Sequence, residues 1–154
     1  TLQPATASAI HNAGSVVQVV KSQFTSAHVT TTSTSFVSMG SDFSLAITPK
    51  FNNSLILIDI HLNPYVAGSN NSGQYNVHNG TAQIGHATNG FGTCPTHGTG
   101  NGIYSHFTIH ASDTVSSTAT RTYQIYHRSD NSSATFYGNH ANRTNTFRLT
   151  EIAQ

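Results

Sequence analysis

Apolar and polar residues alternate with a period of two in short runs along most of this 154-residue chain. The strongest run is 55–62 (LILIDIHL), in which every even-numbered residue is Ile or Leu. Successive side chains of a β-strand point to opposite faces, so this alternation is typical of strands with one buried face. No 11-residue window shows the apolar stripe of an amphipathic helix. The pattern therefore predicts an all-β fold.

Turn residues separate the alternating runs, so the positions of the turns indicate how many strands the chain contains. Asn79-Gly80 lies between two apolar segments and predicts a two-residue hairpin. About eight to ten short strands at this spacing predict an antiparallel β-sandwich with a jelly-roll-like arrangement. In the run at 55–62, the first four residues are apolar, so both faces of the strand begin with apolar side chains. A strand covered on both faces is typically central in its sheet. The other strand candidates are 15–21, 23–30, 43–47, 103–111, 122–128, 134–137 and 146–152.

The length fits one domain. Residues 1–13 contain Pro4 and Asn12 and little apolar material, so we interpret them as an entry segment or the end of a stalk. Residues 14–154 form the predicted sandwich. Cys94 is the only cysteine, which excludes an intrachain disulfide.

Charge is scarce: charged residues make up 7% of the chain and the net charge is +1. Ordinary soluble domains carry about 25% charged residues. The six Lys and Arg residues are scattered, so phosphate neutralisation and nucleic-acid binding have no support. No apolar run reaches the roughly 18–20 residues that span a membrane, so we expect no membrane insertion. A polar surface with few charges suits an extracellular protein.

The carboxylates are too few and too dispersed to favour catalysis. Only five Asp and Glu residues are present. Asp113 and Asp130 sit among turn residues, where Asp commonly bonds its own backbone. Asp59 lies within a strand and is expected to pair with His61 or an arginine. No G-x-S-x-G elbow is present, and we predict that the protein is not an enzyme.

Ten histidines are the sharpest anomaly in the composition. His106 and His110 point the same way on one predicted strand, roughly 13 Å apart, which is too far to share a metal within one chain. In a trimer, each histidine near the axis becomes three, and imidazoles then suit Zn, Ni or Fe. The alternative is that these histidines form hydrogen bonds at a surface or interface.

Aromatic residues provide candidate platforms for sugar rings. They are Tyr65, Tyr75, Phe91, Tyr104, Tyr126 and Tyr137. The alternative for each tyrosine is a half-buried position in a sheet. The glycine-rich stretch 85–102 has no strand pattern, and long loops of this kind are commonly functional. The predicted ligand-binding residues are His86, Phe91, His97, Tyr104, His106 and Tyr126.

The order of several short motifs resembles a known module. The motifs are GSVVQVV (14–20), FVSMGSDFSLAITPK (36–50), SLILIDIHL (54–62) and LTEIA (149–153). They resemble a recurrent C-terminal module of bacteriophage structural proteins, especially tail-fibre-like and appendage proteins, over residues 14–154. The resemblance implies a β-sandwich head on a homotrimeric fibre. The chain departs from the module in its histidines and in the 85–102 loop.

On this resemblance we expect a virion surface protein, outside the cell. It would be a trimeric fibre or appendage tip that binds a host-surface glycan and joins other virion proteins through its N-terminus. One alternative is a capsid decoration or connecting protein without a receptor ligand. Another is a cellular lectin or adhesin domain.

Overall fold

The computed structural model describes residues 12–66, 72–94 and 103–154, and these residues form strands joined by turns. The only helical element among them is a 3-10 turn, Ser41–Phe43. The all-β prediction is confirmed. The strands are β1 (Val16–Thr25), β2 (Val29–Thr31), β3 (Val37–Ser38), β4 (Ser44–Ile47), β5 (Leu55–Leu62), β6 (Tyr65–Val66), β7 (Gly73–His78), β8 (Thr93–Cys94), β9 (Ile103–Tyr104), β10 (Phe107–Thr114), β11 (Arg121–Ser129), β12 (Phe136–Asn139) and β13 (Thr144–Ile152).

The strands form three antiparallel sheets. The front sheet has the order β1-β13-β5-β10, and the back sheet has the order β3-β11-β7-β8, with β4 also paired to β11. The third sheet, which we call the end sheet, has the order β2-β12-β6-β9. Each of its strands lies next in sequence to the corresponding front-sheet strand, across a break of two to four residues. The end sheet therefore continues the front sheet beyond a bend.

The strand pairs are nested along the chain. The first strand pairs with the last (β1 with β13), and the next pairs are β2 with β12, β3 and β4 with β11, β5 with β10, β6 with β9 and β7 with β8. The chain is thus one long hairpin wrapped on itself, which is the jelly-roll arrangement. The predicted sandwich is confirmed, and it has more strands than expected because the bend divides the long strands.

The core lies between the front and back sheets. β5 is central in the front sheet, between β13 and β10, as its sequence predicts. Its even-numbered side chains are at most 1% exposed, and Phe147 and Leu149 of β13 are fully buried beside them. The back sheet contributes Tyr75, Tyr123 and Ile125 to the same cluster. Burial of this apolar surface is the main source of stability.

Buried amide side chains bridge the bend between the front and end sheets. Asn63 donates to the carbonyl of Thr144 (2.7 Å), and Asn145 donates to Oδ1 of Asn139 (2.9 Å). Asn139 in turn donates to Oγ of Ser26 (2.9 Å). Where the strand ladders break, these side chains satisfy backbone and side-chain groups that would otherwise be buried without partners. The bend is therefore held in one geometry, and the end sheet has a defined position.

Two local predictions are wrong. Asn79 N–H donates to the carbonyl of Ala82, and His78 pairs with Gln83, so the turn has four residues and the returning segment forms a single bridge. Asp113 lies in β10 and accepts hydrogen bonds from Arg121 and the hydroxyl of Tyr123. Partners distant in sequence thus replace the local backbone bonds expected for Asp113. None of the described residues belongs to a helix long and apolar enough to span a membrane.

Candidate functional site

Three tyrosines stand side by side on the end sheet. Tyr137 of β12 is directly opposite Tyr65 of β6, which is directly opposite Tyr104 of β9. Directly opposed residues share a face of the sheet, so their rings meet. The ring centroid of Tyr65 lies 5.4 Å from that of Tyr137 and 4.7 Å from that of Tyr104. Tyr104, on the edge strand, is 57% exposed.

Two histidines from the loops at the bend extend this row. The rings of His28 and His140 lie 4.4 Å apart, edge to face. His28 also contacts Tyr137 (5.5 Å), and His140 contacts Tyr65 (5.4 Å) and Tyr104 (4.8 Å). Together these five rings form one surface, which we call the tyrosine–histidine cluster. Edge-to-face contacts of this kind hold the rings in fixed relative orientations.

A cleft adjoins the cluster at Tyr104. Its volume is about 40 Å³, and it is lined by Asn63, Pro64, Tyr104, Ser105, His106 and Arg143. The guanidinium carbon of Arg143 lies 5.2 Å from the centroid of the Tyr104 ring, within the range of a cation–π contact. Ring faces, an amide, hydroxyls, imidazoles and a guanidinium therefore converge at this end of the sandwich. Such a set combines apolar faces with hydrogen-bonding groups that fix a ligand's orientation.

The predicted ligand-binding residues fall in separate places. Tyr104 and His106 line the cleft. His86 and Phe91 lie in the segment 79–92, beside the back sheet, and the ring of Tyr126 stacks on His78 at 5.3 Å. His97 lies outside the described residues. The structure thus brings together only two of these residues.

His86 and Phe91 have evident structural contacts. Nδ1 of His86 accepts hydrogen bonds from the backbone amides of Thr88 and Asn89, which closes a turn. Phe91 is half-buried against the core, and its N–H donates to the carbonyl of Tyr75 (2.8 Å). Tyr75 itself is fully buried and donates its hydroxyl to the carbonyl of Gly138 (2.6 Å). The interpretation of Tyr75 as a surface platform is therefore wrong, and burial raises the pKa of its hydroxyl well above the usual value.

Of the two histidines predicted as metal ligands, His110 lies in the edge strand β10 of the front sheet, and His106 lies in the break between β9 and β10. His110 contacts Oδ1 of Asp59 (2.7 Å), and His106 stacks on His61 (5.3 Å). Asp59 also accepts two hydrogen bonds from Arg148, so its expected pairing with an arginine is confirmed, while its histidine partner is His110. No three His, Cys, Asp or Glu side chains within the described ranges are placed to hold a metal ion. Metal binding stays a prediction.

The pKa of Asp59 is lowered by this arrangement. Partial burial raises the pKa, but the hydrogen bonds and charges of Arg148 and His110 together outweigh that effect. Asp59 is therefore ionised at neutral pH. Asp59 and Arg148 lie on the outer face of the front sheet, in a groove of about 270 Å³ that Lys21, Thr108 and Thr146 also line.

Sequence reasoning missed three members of the candidate site: His28, His140 and Arg143. Each lies in a break between strands of the front and end sheets. The sequence contains little signal for them, because His28 lies within the predicted strand 23–30, and His140 and Arg143 lie between the predicted strands 134–137 and 146–152. Their convergence depends on the pairing of strands that are far apart in sequence.

No known protein family matches the chain, and no curated protein sequence matches it. The tyrosine–histidine cluster and the exposed face of the front sheet are therefore the features that bear on function. The resemblance to the bacteriophage module stays a prediction.

Proposed function

We propose that this chain is the head of a homotrimeric bacteriophage attachment protein, a fibre or appendage tip that binds a glycan on the host surface. The observation that carries the proposal is the tyrosine–histidine cluster beside the cleft at Tyr104. The motif resemblance suggests the viral setting. The cluster suggests the ligand class.

A glycan suits the cluster for physical reasons. The C–H faces of a sugar ring pack on exposed aromatic faces, while its hydroxyls need directional hydrogen-bond partners. Tyr104 offers an exposed ring, and Asn63, Ser105 and Arg143 line the adjoining cleft. The amide network at the bend fixes the site, so little ordering is needed on binding.

Replacing Tyr104 with alanine is expected to weaken glycan binding at least tenfold, because the exposed tyrosine ring of the cluster is lost. The wild-type chain is first screened on an array of purified bacterial surface polysaccharides, and the hits are then titrated by calorimetry. Phe36→Ala is the matched control, since Arg128 lies over the Phe36 ring at 5.5 Å on another surface. Equal losses in the two variants would contradict this site. A trimer that binds no polysaccharide would favour the decoration alternative.

The outer face of the front sheet supports the homotrimer. Val16 and Val19 are each 55% exposed and Leu57 is 36% exposed, all at one end of this face. The next row across the sheet contains Lys21, Arg148, Asp59 and His110, which carries both signs of charge. Exposed apolar groups beside a row of mixed charge can be buried where three copies of this face meet around a threefold axis.

Leu57→Glu is expected to convert the trimer to a monomer, because each interface would bury an unpaired carboxylate. Native mass spectrometry and light scattering at micromolar concentration measure this change. Val37→Glu is the control, since Val37 is equally exposed (36%) but lies at the edge of the back sheet. A wild-type chain that is monomeric under these conditions would refute the homotrimer.

A further inference from the structure

We infer that the glycan is acidic and that Arg143 binds a carboxylate of the sugar. This inference rests on the proposed glycan-binding function and adds the chemical class of the ligand. It follows from the distribution of charge among the arginines and carboxylates of the chain.

Arg143 differs from every other arginine. Arg121, Arg128 and Arg148 form ion pairs with Asp113, Asp130 and Asp59, respectively. Within the described ranges, which contain every Asp and Glu of the sequence, Arg143 has no carboxylate within ion-pair distance. Its guanidinium faces the Tyr104 ring instead.

The remaining carboxylates lie elsewhere. Glu151 is buried near the opposite end of β13, where it bonds Ser54 and Gln18, and Asp42 lies in the 3-10 turn before β4. No carboxylate lines the cleft, whereas Arg143 and His106 do. The neighbouring His28 and His140 add hydrogen-bonding rings. The guanidinium of Arg143 is therefore a cation without a compensating carboxylate at this end of the molecule.

The geometry of Arg143 favours an anionic ligand. A guanidinium is always charged and presents its N–H groups in a planar fork that matches a carboxylate in two parallel hydrogen bonds. The guanidinium carbon lies 5.2 Å from the centroid of the Tyr104 ring, and the guanidinium N–H groups form no ion pair with a carboxylate among the described residues. A sugar ring packed on the cluster would place a ring substituent over the cleft, beside this guanidinium.

The phosphate group of a sugar phosphate could accept the same two hydrogen bonds from Arg143. A carboxylated sugar and a phosphorylated sugar must therefore be distinguished. A single arginine neutralises one charge, which matches the carboxylate of a uronic or ulosonic acid. A phosphate monoester carries close to two charges at neutral pH and is commonly held by several cationic groups. We therefore assign the carboxylated sugar.

The test uses the full chain and an array of purified bacterial surface polysaccharides in three forms: native, carboxyl-reduced and dephosphorylated. Carboxyl reduction converts uronic acids into neutral sugars of the same ring. We expect reduction to weaken binding at least tenfold and dephosphorylation to leave it unchanged. Equal binding to native and carboxyl-reduced forms would refute the acidic-sugar inference and leave the glycan-binding function intact. Loss on dephosphorylation alone would refute the carboxylate assignment, and no binding to any form would refute both proposals.

Arg143→Gln tests the residue itself. We expect this variant to bind the acidic polysaccharides at least tenfold more weakly, with a weaker dependence on salt, and to bind carboxyl-reduced forms as the wild type does. Lys50→Gln removes the same charge beyond the other end of β5 and is expected to change nothing. Because Arg143 is exposed, an unchanged unfolding temperature identifies the effect as local. Equal affinity of R143Q and wild type for acidic polysaccharides would overturn the assignment.

Discussion

Replacing Glu151 with alanine is expected to lower the free energy of unfolding by about 3–5 kcal/mol, because it removes a buried carboxylate with its four hydrogen bonds, including the one from the buried Ser54 hydroxyl. Glu151 is fully buried in β13. Its carboxylate accepts hydrogen bonds from Gln18 (2.6 Å), Ser54 (2.7 Å) and the backbone amides of Lys50 (2.8 Å) and Phe51 (3.2 Å). One side chain thus ties the last strand to the first strand and to the turn between β4 and β5.

The ionised form of Glu151 is the one that stabilises the fold. Burial raises the pKa of its carboxyl, but the hydrogen bonds from Ser54, Gln18 and the two backbone amides together lower it below the usual 4.5. Because the folded-state pKa lies below the unfolded-state pKa, this contribution is present above about pH 4.5 and is lost as pH falls through the folded-state value.

Urea unfolding at pH 7 measures the effect of Glu151→Ala. Asp42→Ala is the control, because Asp42 is exposed and is expected to change stability by less than about 0.5 kcal/mol. Glu151→Gln keeps the size of the side chain but removes its charge, so it should restore part of the stability and remove the acid-dependent part. A loss below about 1 kcal/mol in Glu151→Ala would show that the donors find water or other partners.

The class of the fold was predictable because it depends on local alternation. Each strand carries its own period-two pattern, and the face of β5 that is buried is the one that its sequence marks as apolar. The nested pairing was not predictable residue by residue, because β1 meets β13 across more than a hundred residues. The break at residues 105–106 was missed for a related reason, since the predicted strand 103–111 runs across it. There the amide of Ser105 donates to the carbonyl of Pro64, which is distant in sequence.

The candidate site was predictable only in part. Tyr65, Tyr104 and Tyr137 were recognised singly as aromatic platforms, but their alignment needs the register of β6 with β9 and β12. Tyr75 has the same residue type in an equally strand-like setting, yet it is in the core. Residue type alone does not distinguish the two faces of a strand when both neighbours are polar, as Gln74 and Asn76 are. Gln74 and Asn76 are themselves buried in the back sheet, so their polarity does not indicate that the Tyr75 side chain points into the core.

Between pH 6.5 and pH 4, the free energy of unfolding is expected to fall by about 3 kcal/mol through His127 alone. His127 lies in β11, is 1% exposed, and its Nδ1 has no hydrogen-bond partner among the described residues. A Cβ on Gly138 would lie 2.2 Å from this nitrogen, so the absence of a side chain there makes room for the ring. Burial lowers the pKa of His127 from 6.5 to about 4.

The direction of the effect follows from the two pKa values. Above pH 6.5 the imidazole is neutral in both states, and the fold keeps its full stability. As pH falls towards 4, the unfolded chain takes up a proton that the folded chain excludes, so unfolding is favoured. The carboxylates Asp59 and Glu151, whose pKa values are lowered, begin to add their losses only below about pH 4.5, at the acid end of this range.

Urea unfolding at several pH values from 4 to 7 measures how the free energy of unfolding depends on the protonation of His127. His127→Leu fills similar space without a titrating group, so its stability should depend much less on pH in this range. His106→Gln removes an exposed histidine and should keep the wild-type slope. If wild type and H127L lose stability in parallel, the acid sensitivity arises from other groups. If H127L is nearly level, one buried imidazole sets the acid sensitivity of the sandwich between pH 4 and pH 7.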